Sequence, residues 1–376
     1  MQLKKLYTLS KVTAVAIMAL QTLIAENYVS VEYLHYDEND DRVSVSAPSL
    51  TLSYDIGTDY NIKADIIHDT VSGATPVWQA DSGSGASSRD NSNDYIYKNS
   101  NFNEERNAAS IIVTTRLANR DEIYTGLDYS RESDFDSKAV SIEYLHYTDN
   151  THNQSINFGL SYAYNEILSY DHDSGSGASQ KETATSINIL AGLSQILSTT
   201  SAVKVEAFAI IDDGYLTNPY SNIVRDYGTA TQSILTEIRP DSRTAYGFSL
   251  KYNTLLSNNL SYLANYRFYT DDWEINSHTL DNNIYYEFND KLTLGLGLRY
   301  YTQSKASFYQ ASKNHFTTQT YGSSDERLSN FNAFTYKASV DYKVNDKISY
   351  NVGAQFYTQS TRLDATILSV GMKYRF

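Results

Sequence analysis

Alternation with a period of two governs this chain, and its last stretch shows it most plainly. In Leu363–Phe376, the residues Phe376, Tyr374, Met372, Val370 and Leu368 fall on one face, and Thr366 continues that row. Arg375, Lys373, Gly371, Ser369 and Ile367 fall between them. A side-chain period of two is a strand with two unlike faces. A lipid-facing barrel and a soluble sheet both supply such strands. The rest of the chain has to decide between them.

The pattern recurs in about sixteen segments. They begin with Asn27–Tyr36, Arg42–Asp55 and Tyr60–Asp69 and end with Phe331–Val344, Ile348–Gln359 and Leu363–Phe376. The long connections, Ser72–Glu104, Glu166–Glu182, Gly214–Pro240 and Tyr309–Glu326, all follow odd-numbered segments. Connections after even-numbered segments are short, as at Ile56–Thr58, Asn119–Arg120 and Asn289–Lys291. Short periplasmic turns, long extracellular loops and an even strand count belong together in a membrane barrel. The expected fold class is all-β, a transmembrane antiparallel β-barrel. In Arg42–Asp55 the apolar parity changes from Val43, Val45 and Ala47 to Leu50, Leu52 and Tyr54. That change near Pro48–Ser49 is the expected mark of a β-bulge.

Composition enters where it tests this reading. Mean hydropathy is −0.46, which is low for a membrane protein. Only every second strand residue of a barrel meets lipid, so a polar average fits. The 34 Tyr against 13 Phe and 2 Trp suit rings with one apolar and one wet end. No Cys is present, which excludes disulfides and thiolate metal sites. Residues 1–25 read as a secretory signal peptide: Lys4 and Lys5, the apolar Val12–Leu20, then Ala25 before Glu26. The barrel domain is then 26–376, in the cell outer membrane. The whole chain carries a net charge of −14, and the leader takes away three lysines and no acid. That field excludes nucleic acid as a partner and draws cations to the surface.

With the lipid face assigned, the intervening residues face the lumen. The candidate pore-lining residues are Lys63, Asp65, Lys204, Glu206 and Lys251, then Arg267, Glu287, Arg299, Lys337 and Asp341 on the later strands. Ions inside a barrel either pair across strands or line a water-filled pore, and the sequence leaves both open. Gly295 and Gly297 share the lumen face, where a serine should cost far less than an arginine at Leu294 or Leu296.

Two repeats stand out. Ser30–Asn39 reads SVEYLHYDEN and Ser141–Asn150 reads SIEYLHYTDN. Asp81–Ser87 and Asp173–Ser179 both read DSGSGAS. Asp171, His172 and Asp173 hint at a metal, against a plainer reading as surface turns, and no metal or cofactor site is assigned. No His-Glu-x-x-His, P-loop or Gly-x-Ser-x-Gly motif appears, so no enzyme is expected. A lipase-like barrel would need a Ser and a His together at the outer rim, where His68, Ser72 and His278 are the candidates.

A terminal strand closed by Phe376 resembles the C-terminal signal of bacterial outer-membrane barrels. That resemblance implies outer-membrane lipid and the barrel-assembly machinery as partners. Tyr266–His278 (YRFYTDDWEINSH), Leu298–Tyr309 (LRYYTQSKASFY), Arg239–Arg243 (RPDSR) and Ser72–Pro76 (SGATP) resemble segments of an uncharacterised group of bacterial envelope proteins, domain of unknown function 3570 (DUF3570). The resemblance implies an outer-membrane barrel and no substrate, cofactor or catalytic residue. The functional expectation is a pore or transporter for small solutes. The alternative is a non-conducting surface or envelope-assembly platform acting through its loops. Gly214–Pro240 is the loop expected to fold inward, anchored by Tyr215, Tyr220, Ile223, Val224 and Tyr227.

Overall fold

The computed structural model describes residues 27–39, 42–80, 95–170, 179–311 and 315–376. The expected signal peptide, the first DSGSGAS copy, all but the last residue of the second, and Asp171-His172-Asp173 lie outside them.

The strands are β1 (Tyr28–Glu38), β2 (Val43–Ile56), β3 (Tyr60–Ala80), β4 (Tyr95–Arg116), β5 (Glu122–Arg131) and β6 (Phe135–Tyr147). Next come β7 (Gln154–Tyr170), β8 (Ser179–Ser198), β9 (Ser201–Gly214), β10 (Asn222–Arg225), β11 (Ser233–Thr236) and β12 (Ser242–Ser257). The chain finishes with β13 (Leu260–Asp271), β14 (Asn276–Asn289), β15 (Leu292–Gln303), β16 (Phe331–Lys343), β17 (Ile348–Gln359) and β18 (Asp364–Arg375). All but β10 and β11 form one closed antiparallel barrel, sixteen strands as the alternation predicts. β18 closes it, pairing with β17 on one side and with β1 on the other, from Tyr28↔Arg375 to Glu38↔Ala365. Closure leaves no strand edge with unmet backbone groups, which a hydrocarbon environment requires.

The outer wall carries the apolar rows. Leu296 is 68% exposed, and Leu127, Phe158, Val352 and Val370 stand out in the same way. Such a continuous apolar exterior is stable against lipid and not against water. Aromatics border it at both ends. At the short-turn end Phe376 stacks on Tyr54 and Tyr374, with ring centroids 6.4 and 6.3 Å apart. At the long-loop end Phe248, Tyr266, Phe268 and His278 group together, and the Tyr266 hydroxyl lies 2.7 Å from His278 Nδ1.

The parity change in β2 is not a bulge. The pairing with β1 runs unbroken from Tyr28↔Ser53 to Asp37↔Ser44. Pairing with β3 resumes in the same register on both sides of Pro48. What changes is the environment. Leu50, Leu52 and Tyr54 face outward, whereas Val43 and Val45 face inward and pack with Tyr36, Val71 and Ala365. The apolar face switches because the lipid band ends there and packing inside the mouth begins.

Two of the expected loops are largely strand. β3 and β4 continue as a paired hairpin to Ala80↔Tyr95, and β7 and β8 to Tyr170↔Ser179. Above the lipid both faces of a strand can be polar, so the ladder persists where alternation has stopped.

Candidate functional site

The site is the lumen at the long-loop end, and a folded insert occupies it. The insert leaves the wall at Gly214, where φ is +107° and a Cβ would collide with the Thr183 carbonyl. Only glycine fits that turn. The next amide, Tyr215 N–H, donates to Thr183 O at 2.8 Å, and Tyr215–Tyr220 then line the lumen. The hairpin β10–β11 follows, with Ile223 and Val224 at 0% exposure. Of the expected anchors, Ile223 and Val224 are the buried pair, Tyr215 and Tyr220 are half-buried, and Tyr227 is exposed.

The second half of the insert is the connection 304–330. The two halves share backbone hydrogen bonds: Ile238 and Gly322 exchange N–H···O bonds of 3.1 and 2.8 Å, and Asp226 N–H donates to His315 O at 2.8 Å. Buried charge then locks them. Arg239 contacts Glu237 at 2.5 Å and Asp325 at 2.8 Å, Arg327 Nε donates to Asp325 Oδ1 at 2.7 Å, and the Ser323 hydroxyl donates to Glu237. Breaking such a network by removing one member leaves an unmatched charge and is costly. Arg225 donates to the carbonyls of Phe316 and Gln319. His315, packed beside Arg225, is pulled down to about 4 by burial and by that charge. It stays neutral and hydrogen-bonds Ser324 at 2.9 Å.

An apolar seat holds the insert to the wall. Trp273, Ile275, Ala306 and Leu328 are buried together, with Tyr269, Phe308, Tyr309 and Leu216 against them. Trp273 Nε1 donates to Ser242 O at 2.9 Å, and Arg243 stacks on the indole at 5.2 Å. Most of this seat comes from Tyr266–His278 and Leu298–Tyr309, segments that also carry the DUF3570 resemblance. Arg239 and Arg243 belong to a third such segment.

Below the insert, the wall carries paired ions. Lys204 and Lys251 both reach Glu206, at 2.7 and 3.2 Å. Arg299 and Lys337 both reach Asp281, at 2.5 and 2.9 Å. Lys63 and Asp65 pair at 3.9 Å, and Asp65 accepts the Thr51 hydroxyl. Arg267 lies over the Phe208 ring at 4.6 Å. Lys63 and Asp341 border a cavity of about 500 Å3 at the short-turn end, and Glu287 lies near that end of β14. The two alternatives for these ions are thus compatible, and cross-strand pairing is realised. Sequence reasoning missed Asp281, which answers two cations from a strand read for its apolar row. It also missed Glu237 and Asp325, which sit in stretches read as loops, and Arg327, which follows the second of them.

The lumen glycines are not spare room. A Cβ at Gly297 would lie 2.5 Å from Asn283 Oδ1 and 3.1 Å from Lys337 Cδ, and one at Gly295 would meet Ser339 and Tyr285. The long side chains lie across these glycines.

Glu104, Glu132 and Asp134 bring carboxylate oxygens within 4.8 Å of one another, a set with the chemistry to hold a cation. The lipase-like candidates are spread over the wall. His68 hydrogen-bonds Asn107 on β4, His278 bonds Tyr266 on β13, and Ser72 lies further along β3 than His68.

A family model described as "Protein of unknown function (DUF3570)" matches residues 6–370. Among curated proteins the chain has no match. Solved structures with a similar fold include a bacterial polysaccharide outer membrane secretin, at 8% identity over 94% of this chain and 100% of that one, with a TM-score of 0.51. The CymD monoaromatic hydrocarbon channel matches at 9% identity over 96% and 92%, with a TM-score of 0.45. A ferric enterobactin receptor (PfeA) mutant from Pseudomonas aeruginosa matches at 9% identity over 89% and 54%, with a TM-score of 0.46. The chain spans about half the length of that receptor.

Proposed function

The chain belongs to the DUF3570 family, and we propose that it is an outer-membrane channel or transporter for small solutes whose mouth is narrowed by its own insert. The observation that carries this reading is the lumen below the insert. A barrel of sixteen strands is wide enough for an aqueous channel. Its wall is polar, its ions are held flat by cross-strand pairing, and cavities of about 400 and 500 Å3 lie at its two ends. The insert is the constriction that a solute passes or displaces.

The fully packed insert also favours a second reading, a closed barrel that serves as a platform for its long loops. Single-channel recording of the purified protein in a planar bilayer separates the two. Discrete small conductance steps support the channel. Asp325→Asn, which weakens the hold on Arg239 and Arg327, should make the steps larger or flickering. Silence from the wild type and from Asp325→Asn alike would leave the platform reading.

A further inference from the structure

Beneath the insert lies the cavity of about 400 Å3, within the size range of small-molecule sites. Its wall on β5–β8 is set back because Gly126, Ser141, Gly159, Ser161, Ala163 and Ser186 carry little or no side chain. Its roof is Tyr215–Tyr220, and Phe208 and Leu190 supply apolar surface.

The charges around it are answered within the protein, with one exception. Arg106 pairs with Asp69, Arg243 with Asp212, and Arg239 and Arg327 with Asp325. Glu143 accepts from Asn157 at 2.8 Å, and Asp128, Glu132 and Asp134 have partners as well. Arg267 differs. Gly247 lets the Phe208 ring lie across β12, since a Cβ there would collide with that ring. The guanidinium of Arg267 stacks on the ring at 4.6 Å. Among the described residues no carboxylate lies within ion-pair distance of it. Stacking uses the face of a guanidinium and leaves its N–H edges, which match a carboxylate two by two.

We propose that this cavity binds a small monocarboxylate with an apolar body. The carboxylate is held by the N–H edge of Arg267, and the body lies against Phe208, Leu190 and the Tyr215–Tyr220 roof. A single unmatched positive charge selects a monoanion over a phosphate dianion. The proposal deepens the channel reading by naming its solute class, and it is tested without a membrane current.

Isothermal titration of the detergent-solubilised protein at neutral pH would compare phenylpropionate with its neutral isostere phenylpropanamide. The carboxylate should bind roughly tenfold tighter or more. Arg267→Met should abolish that preference while the barrel keeps its heat-modifiable gel migration. Equal binding of the two probes, binding of neither, or a preference that survives in folded Arg267→Met would overturn the proposal. Conduction without this binding removes the ligand and keeps the channel. Binding without conduction does the reverse.

Discussion

The lumen wall depends on single residues that each answer several charges. Glu206 is 2% exposed and holds two ammonium groups, of which Lys204 is itself 1% exposed. Glu206→Ala removes the carboxylate that both ammonium groups contact, leaves buried Lys204 and half-buried Lys251 with only the more distant Glu143, and should cost about 3 kcal/mol in a denaturant titration. Glu206→Gln should cost less, because it keeps the shape and one acceptor. If the two variants unfold together, the pairing contributes nothing beyond packing. The glycines make a related case. Gly297→Ser forces Lys337 off its path to Asp281 and should cost about 1 kcal/mol by overpacking. Leu296→Arg puts a charge on the lipid face and should cost ~2–4 kcal/mol if that residue sits near mid-membrane. The glycine still ranks below the leucine, but by a smaller margin than the alternation alone suggests, because its Cβ meets Asn283 and Lys337. Period two tells which side a residue faces and is silent about which neighbour lies across it.

At the scale of elements, the insert carries a pH dependence through His315. His315 has an ordinary value of 6.5 and is pulled to about 4 when the insert is docked. A freed loop takes up its proton near 6.5, whereas the docked loop resists until about 4. The His315 contribution to docking is therefore at full strength above pH 6.5 and weakens as pH falls from 6.5 toward 4, while Glu237, raised by burial, acts in the opposite direction. Asp226, held below the usual carboxylate range by Thr317, weakens in the same direction but only at lower pH. Hydrogen exchange over residues 304–330 should show protection at pH 7 that declines by pH 5. His315→Gln should flatten that decline, and an unchanged profile in the variant would assign it to another group. The inward fold of Gly214–Pro240 was legible in its apolar anchors, whereas its docking to 304–330 and the His315 switch were not. The stretches 214–241 and 304–330 have no periodicity, because an insert stabilised by ion pairs and bridging backbone bonds needs none. Ile223 and Val224 stood out as apolar residues in a polar loop, and they are the two that are fully buried.

For the whole molecule, the alternation yielded the strand count, the closure and the even–odd placement of loops, since each follows from which residues tolerate lipid. It placed the strand ends poorly wherever the sequence stops alternating, as in the upper parts of β3, β4, β7 and β8. The fold also bears on ion preference. Lys251, Arg267, Arg299 and Lys337 put four cations on the later strands of the lumen wall, but Glu206 answers the first and Asp281 the last two. The acidic balance of the chain then dominates at the mouth, through a field screened over ~8 Å at physiological salt. If the barrel conducts, reversal potentials across a KCl gradient should show mild cation preference at low salt that fades as salt rises. Anion selectivity persisting at high salt would mean that Arg267 alone controls the passage.

The repeated heptapeptide carries a consequence for how such a chain enters a membrane. SVEYLHY runs up β1 and SIEYLHY runs down β6, yet both put Glu, Leu and the last Tyr inside and the first Tyr and His outside. Tyr33 and His35 meet Ser46 near one rim, and Tyr144 and His146 meet Asp121 near the other. A wall written in a code that is indifferent to direction holds no instruction about polarity. The asymmetry lies in what has to cross. For a chain that enters from the periplasm, small turns such as Ser198–Ser201 stay on the side of entry, whereas the two long stretches that knit into a charged, folded body are the parts that cross. The insert is then the last part to assemble, because Arg239 and Asp325 meet only after both stretches have crossed.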